Sequence, residues 1–377
     1  MTKLYQRIAS AIMLTTFAAS VLTGCSSAPA SSSQSSSDAP AVEFGLGLDS
    51  KGFYDGIKAQ DYVTLPDDYA AIPLSEEDVA ANEEGYGDFL EYIVQAAGTT
   101  TEVTDRAIQK GDMVTLDLTS SVDGVNLEDG TLQDYTVILG YGTFIEGFEE
   151  QLLGHKSGET FDVSIEYPDD AGTAKDVDGN EVDLSGKSVL FSVTVKSVME
   201  YELTDEAIVK AFGDTTTMPD GTPVTTVDQL YDYYIESETM TNTQNAIIAY
   251  LQENSEVSEI PESIVEQQKE VERQYAEYIA SVYNYESVDE FLAANDYEDM
   301  DAYIDTAMDS IESNVKYRLI IQAIAEADGL EVENDAYVKA FGATKDIVAA
   351  TYGEEYAAQM ALEYTVLTHL MSTAKVS

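Results

Sequence analysis

Gly140-Tyr141-Gly142-Thr143-Phe144-Ile145-Glu146-Gly147-Phe148-Glu149-Glu150-Gln151-Leu152-Leu153-Gly154-His155-Lys156-Ser157-Gly158-Glu159 is the stretch that decides the fold. It places Phe144, Ile145 and Phe148 close together on a turn and the start of a short helix, between two strand-like runs. Such an apolar cluster at the mouth of a small sheet can hold a proline ring. On spacing alone it reads equally as a loop followed by one amphipathic turn.

Working outward, Met113 to Leu118, Tyr135 to Leu139, Phe161 to Ile165 and Val189 to Val195 alternate with the period of two that marks strands with one buried face. Asp123-Gly124 and Asp178-Gly179-Asn180 supply hairpin turns. The pattern predicts a compact antiparallel sheet with one short helix, Phe148 to Leu153. Upstream, Tyr62 to Pro66 reads as a short edge strand. Ser75, followed by Glu76, Glu77 and Asp78, reads as the cap of a helix carrying Val79, Phe89, Leu90, Ile93 and Val94 and ending near Gly98.

Beyond Glu200 the strands stop. Thr204 opens a short helix closed by Gly213, and Val227, Leu230, Tyr231, Tyr234 and Ile235 open a long one. Pro261 sits where a first-turn proline belongs, leading a helix through Ile264, Gln268, Val271 and Tyr275. Ser287 and Glu290 form a capping box. Further helices run from Tyr303 to a stop at Gly329 and from about Glu354 to Thr373.

The first 24 residues read as a targeting segment: Lys3 and Arg7 precede a mostly apolar run from Ile8 to Leu22, short for a membrane span. Leu22-Thr23-Gly24-Cys25 resembles the bacterial lipobox, whose cysteine is lipidated. Cys25 is the only cysteine, so a disulfide or a cysteine-based metal site is not available. Residues 25–43 are rich in Ser, Ala and Pro and read as a flexible tether spanning about 25 Å. The expected place is the extracytoplasmic face of the cell membrane, held by lipid. Removing the leader takes two of the 18 basic residues and none of the 71 acidic ones, which moves the net charge from −53 to −55. A surface this acidic repels nucleic acid and anionic headgroups. The expected organisation is leader 1–24, tether 25–43, a strand-and-helix segment 44–105, a sheet domain 106–200 and a helical domain 201–377.

No constellation fits covalent or metal catalysis, and no cofactor is expected. His155 and His369 stand apart, and no serine has a base. Asp176-Val177-Asp178-Gly179-Asn180 looks like a calcium loop, but Glu181 and Lys187 stand where an EF-hand needs Gly and a bidentate Glu. One reaction needs no nucleophile: rotation about a prolyl peptide bond, slow because the amide is partly double-bonded. An apolar cup that strips water from the carbonyl favours the twisted transition state.

At this point the residues resemble a known family. Gly111-Asp112, Ser121-Val122-Asp123-Gly124, Ile145-Glu146-Gly147-Phe148-Glu149, Gly154 to Glu159 and Leu184-Ser185-Gly186-Lys187 stand in the order of an FKBP-type peptidyl-prolyl isomerase domain, in the version embedded in trigger factor. The resemblance implies Phe148 as the floor of the proline cup, Phe144 and Ile145 as a wall, Tyr135 and Phe191 as aromatic sides, Leu127 at another aromatic position, and Glu128 as the acidic residue. Two departures stand out: Leu118 where the family usually has Tyr or Phe, and Ala171 roughly where a loop tyrosine is expected. Ile260 to Val265 and Val315 to Leu330 are similar to the helical chaperone domain of trigger factor, so the second half is expected to be an all-α trigger-factor- or SurA-like body that cradles unfolded chains. The fold class is thus α+β, an FKBP-like antiparallel sheet wrapped on a short helix plus that body.

The ribosome-docking domain of trigger factor has no counterpart before Tyr62, so ribosome binding is not expected. The implied partners are unfolded or nascent exported polypeptides with X-Pro bonds, and the membrane through Cys25. Three functions compete: a lipid-anchored foldase, a holdase whose isomerase site is weak or inactive, and a solute-binding lipoprotein. The last predicts two α/β lobes, which the order of strands and helices does not show.

Overall fold

A computed structural model describes residues 41–212, 216–218 and 221–377; the leader, Cys25 and most of the tether lie outside the described residues. The chain divides into two compact units that cut across the sequence segments. One is the continuous stretch Ala81–Glu238, and the other joins the residues up to Ala80 to those from Thr239 onward.

The Ala81–Glu238 unit holds an antiparallel five-stranded sheet. Its centre is the long strand Ser188–Glu202, which pairs with Met113–Val122 along one edge. Along its other edge it pairs with Thr160–Glu166 at one end and Thr99–Glu102 at the other. Val125–Ile138 completes the sheet beside Met113–Val122. Strict alternation explains the core: Val114, Leu116, Leu118 and Val122 are buried from one strand, and Val189, Phe191, Val193 and Val195 from its neighbour. The Asp123-Gly124 hairpin has positive φ at both residues, as the twist of the flanking strands requires. The short helix is Phe148–Leu152, one residue less than expected.

The single helix expected from Ser75 to Gly98 is two. Ser75 does form a full capping box with Asp78, but its helix is only Glu76–Val79, and Ala80 leaves helical geometry at φ −59, ψ 136. The next helix, Tyr86–Ala97, belongs to the sheet unit, burying Leu90 and Val94 against Ile138. The chain passes from one unit to the other at the break. The stretch Asp205–Phe212 and the start of the helix Gln229–Asn254 also pack in the sheet unit, through Ile208, Phe212, Leu230 and Tyr233. The expected boundaries at 105/106 and 200/201 therefore fall inside a packed body.

In the other unit the helices Glu262–Val282, Met300–Asp328 and Glu354–Thr373 surround a core of Ile264, Ile311, Val315, Leu319, Ile320, Val366 and Leu370. Two further helices, Asn334–Phe341 and Lys345–Tyr352, pack on the last one. The early residues close this core as a strap. The Tyr54 N–H donates to Gln322 Oε1 at 2.9 Å, the Ala59 N–H to Glu326 at 3.1 Å and the Tyr69 hydroxyl to Asp328 at 2.7 Å. Val63–Thr64 pairs with Glu256–Val257, and Pro73–Leu74 with Lys375–Val376. The edge strand expected at Tyr62 to Pro66 is thus a two-residue strand serving a helical body. Among the described residues no helix is long and apolar enough to cross a membrane.

Candidate functional site: an aromatic cup

The cup is built on the helix Phe148–Leu152. Phe148 and Leu152, one helical turn apart, share a face and are both fully buried against the sheet. Gly147 enters the helix at φ +85, a left-handed conformation that a side chain would strain, and so sets the sharp turn from loop to helix.

Four of the expected rings are in contact. Phe144 is stacked on Phe148 with centroids 4.3 Å apart and planes at 25°. Phe191, from the central strand, meets Phe148 edge-to-face at 5.2 Å and 84°. Tyr135, from Val125–Ile138, meets Phe144 edge-to-face at 5.4 Å. Leu118 and Leu127 are buried in the same cluster. Burial raises the Tyr135 hydroxyl, with Asp88 and Glu91 of the neighbouring helix adding to it, so it stays a protonated donor at neutral pH.

Two expected residues stand apart from these rings. Ile145 is 36% exposed at the tip of the turn, where its carbonyl accepts the Phe148 N–H at 3.1 Å. Glu128 is exposed in a bulge of Val125–Ile138, where pairing with Met113–Val122 jumps from Ser121↔Asn126 to Thr119↔Thr131. Leu127 turns inward from the same bulge, beneath the insertion that bridges it at Asp176.

Sequence reasoning passed over Glu149. Its side chain is buried at 8% exposure, and its carboxylate accepts the Gly140 N–H at 2.6 Å and the Phe144 N–H at 3.4 Å. One carboxylate thus anchors the base of the loop at Gly140 and reaches Phe144 more loosely. Nothing in a Glu next to another Glu signals this; only its place directly after the floor residue hints at it. Tyr167 was also passed over. It packs against the cluster together with Ala171, and burial raises its hydroxyl. The loop continues into an aromatic layer: Tyr86 meets Tyr141 at 5.4 Å, Tyr231 at 5.0 Å and Tyr234 at 5.5 Å. Burial pushes the Tyr86 hydroxyl up to about 12.

The other candidates have structural partners. The His155 ring is stacked on Phe161, and its Nδ1 lies 2.8 Å from Glu159. The Asp176 carboxylate accepts the backbone N–H groups of Asp178 and Asn180 at 2.9 and 2.8 Å, so it closes a turn.

A sheet folded over one short helix, with a phenyl floor at the helix start, coincides with a family model. Residues 104–196 match the model described as FKBP-type peptidyl-prolyl cis-trans isomerase. The chain carries an FKBP-type isomerase domain. Residues 229–347 match a second model, the bacterial trigger factor protein C-terminus, so both matched segments are similar to parts of trigger factor. Among its relatives, trigger factor of Pediococcus pentosaceus is 30% identical over 264 residues, covering 69% of this chain and 57% of that one. Trigger factor of Streptococcus gordonii is 32% identical over 266 residues, covering 68% and 56%. The chain therefore spans just over half the length of these relatives. A solved trigger factor chaperone aligns with 82% of this chain and 72% of its own at 17% identity and a TM-score of 0.29, too loose to superpose elements.

Proposed function

We propose that this chain is a foldase held by lipid on Cys25 at the extracytoplasmic face of the cell membrane, where it isomerises X-Pro bonds in unfolded exported polypeptides and holds them on its helical unit. The observation that carries the reading is the Phe148 floor with its ring contacts, inside a domain that matches the FKBP-type model. A proline ring placed on Phe148 leaves its carbonyl in a water-poor setting. There the twisted amide, which lacks resonance, is favoured relative to the planar one. Each 1.4 kcal/mol of that preference, taken off a barrier of about 18–20 kcal/mol, speeds rotation about tenfold. No titrating group is needed.

The helical unit supports the holding part. Tyr283 is 64% exposed, with Tyr278 and Val282 exposed on the same helix end. They adjoin a cleft of about 550 Å³ lined by Glu277, Ala280, Ser281, Asn284, Tyr285 and Val288. Amphipathic rings at an open cleft suit weak binding of varied unfolded segments.

The second reading, a holdase with a weak or inactive isomerase site, is favoured by Leu118, a buried aliphatic side chain where the family usually has an aromatic one. Prolyl-peptide isomerisation by the full chain separates the two. The foldase accelerates exchange, and Phe148→Ala abolishes the acceleration while suppression of aggregation persists. Wild-type protein that suppresses aggregation without accelerating isomerisation sinks the enzyme reading. Fatty-acid labelling lost in Cys25→Ser tests the anchor; unlabelled wild type in membranes refutes it.

A further inference from the structure

The floor of the cup is not open. Phe148 has 0% exposure, and one of its faces is taken by the Phe144 ring at 4.3 Å and 25°. At that separation the two rings are in van der Waals contact and nothing lies between them. Phe191 meets the floor at 84°, and Tyr135 packs edge-to-face against Phe144 at 5.4 Å. Phe144 thus touches two rings of the cluster, Phe148 and Tyr135. A wall residue would leave the floor reachable; Phe144 covers it.

The loop is shaped to let this ring leave. Thr143 to Glu146 are bounded by Gly142 at φ +76 and Gly147 at φ +85. A Cβ on Gly142 would meet nothing within 4 Å, so the position is uncrowded and can change its backbone angles without collision. Glu149 pins Gly140 firmly at 2.6 Å but Phe144 only at 3.4 Å, near the limit of a hydrogen bond. The tight anchor lies at the base of the loop and the loose one at the ring-bearing residue. Phe144 itself keeps part of its surface in solvent.

We propose that Phe144 is a gate that occupies the place of the proline ring on Phe148, and that a prolyl peptide binds by displacing it. The inference rests on the reading of Phe148 as the floor of an isomerase cup. A site that is competent only in its open fraction binds with an affinity lowered by that fraction. Removing the stacked ring therefore tightens binding, whereas removing a wall weakens it, so the two roles predict opposite signs.

The test is the dissociation constant of a short unstructured peptide containing one Leu-Pro bond, measured on the full chain with wild type, Phe144→Val, Phe144→Ala and Phe148→Ala. The gate predicts binding about two- to tenfold tighter in both Phe144 variants, the worth of one aromatic stack, and binding lost in Phe148→Ala. Equal or weaker binding in the Phe144 variants, with wild type binding the peptide, overturns the gate alone. No binding by any variant overturns the cup and the gate together. A measurement on wild type needs no variant to fold: ring-to-ring nuclear Overhauser contacts between Phe144 and Phe148 are present in the free protein and disappear when peptide is added. Contacts that persist at saturation overturn the proposal.

Discussion

Glu149 offers the perturbation with the most local readout. Its carboxylate is buried, and the 2.6 Å contact with the Gly140 N–H is a charge-assisted hydrogen bond. Such a bond contributes about 1.5–3 kcal/mol, while the 3.4 Å contact to Phe144 adds little. Glu149→Ala strands the Gly140 N–H, and opening of the loop becomes easier by about 2 kcal/mol. At 1.4 kcal/mol per decade this is about thirty-fold in the opening equilibrium. Glu149→Gln keeps the shape and one acceptor oxygen without the charge, so a smaller effect is expected. The assay is hydrogen exchange, read by mass spectrometry on peptides covering residues 139–148 of the full chain at fixed pH. Those peptides should exchange about thirty-fold faster in Glu149→Ala, while peptides from Ser188–Glu202 are unchanged. Unchanged exchange at residues 140–144 in a protein with an intact sheet refutes the view that this carboxylate holds the cup loop. Faster exchange everywhere also refutes it, because the residue would then stabilise the whole unit.

Phe148→Ala removes a fully buried ring and should cost the sheet unit about 3–5 kcal/mol, seen as a lower denaturant midpoint for that unit; a cost under about 1 kcal/mol would mean the ring is not packed as described. Gly52 lies at φ +79, and a Cβ there would stand 2.2 Å from the Gln359 backbone nitrogen, so Gly52→Ala should displace the strap and expose residues 43–74 to limited proteolysis. Unchanged cleavage would contradict the close approach. Burial raises the carboxyl of Glu272, opposed by the Tyr303 hydroxyl that donates to it at 2.6 Å. Burial likewise raises Glu363, opposed by Tyr317 and Arg318. Between the ordinary carboxyl range and these raised values the folded state keeps protons that the unfolded chain releases. The stability of the helical unit therefore falls as pH rises through that window and levels off above it. Glu272→Gln should flatten part of the fall in urea midpoint as pH rises above the ordinary carboxyl range, and an identical slope in wild type and variant would refute the assignment.

The sheet was legible in the chain because its information is local. Period-two alternation in Met113–Val122 and Ser188–Glu202, and turn chemistry at Asp123-Gly124, depend only on neighbours a few residues apart. The long helices were legible for the same reason, through caps such as Ser287, whose Oγ accepts the Glu290 N–H. The aromatic set was legible as residue types in order, and the fold brings four of those rings into contact.

Three features were settled only in three dimensions. The strap was read as part of one segment with the helix that follows it, yet its partners lie far along the chain; the Tyr54 N–H bonds to Gln322, 268 residues away. Two-residue strands and single backbone-to-side-chain bonds have no period, so no window of sequence can show them. The polarity of Glu149 marks it as a surface residue, and only the two backbone N–H groups of its own loop explain its burial. Finally, sequence by itself determined that Phe144 and Phe148 lie four residues apart on a turn. Whether Phe144 stands beside the floor or on top of it depends on one loop's backbone angles and one side-chain rotamer. Tertiary packing fixes both, because a buried ring gains from an apolar ring laid on its face, and for Phe148 that ring is Phe144.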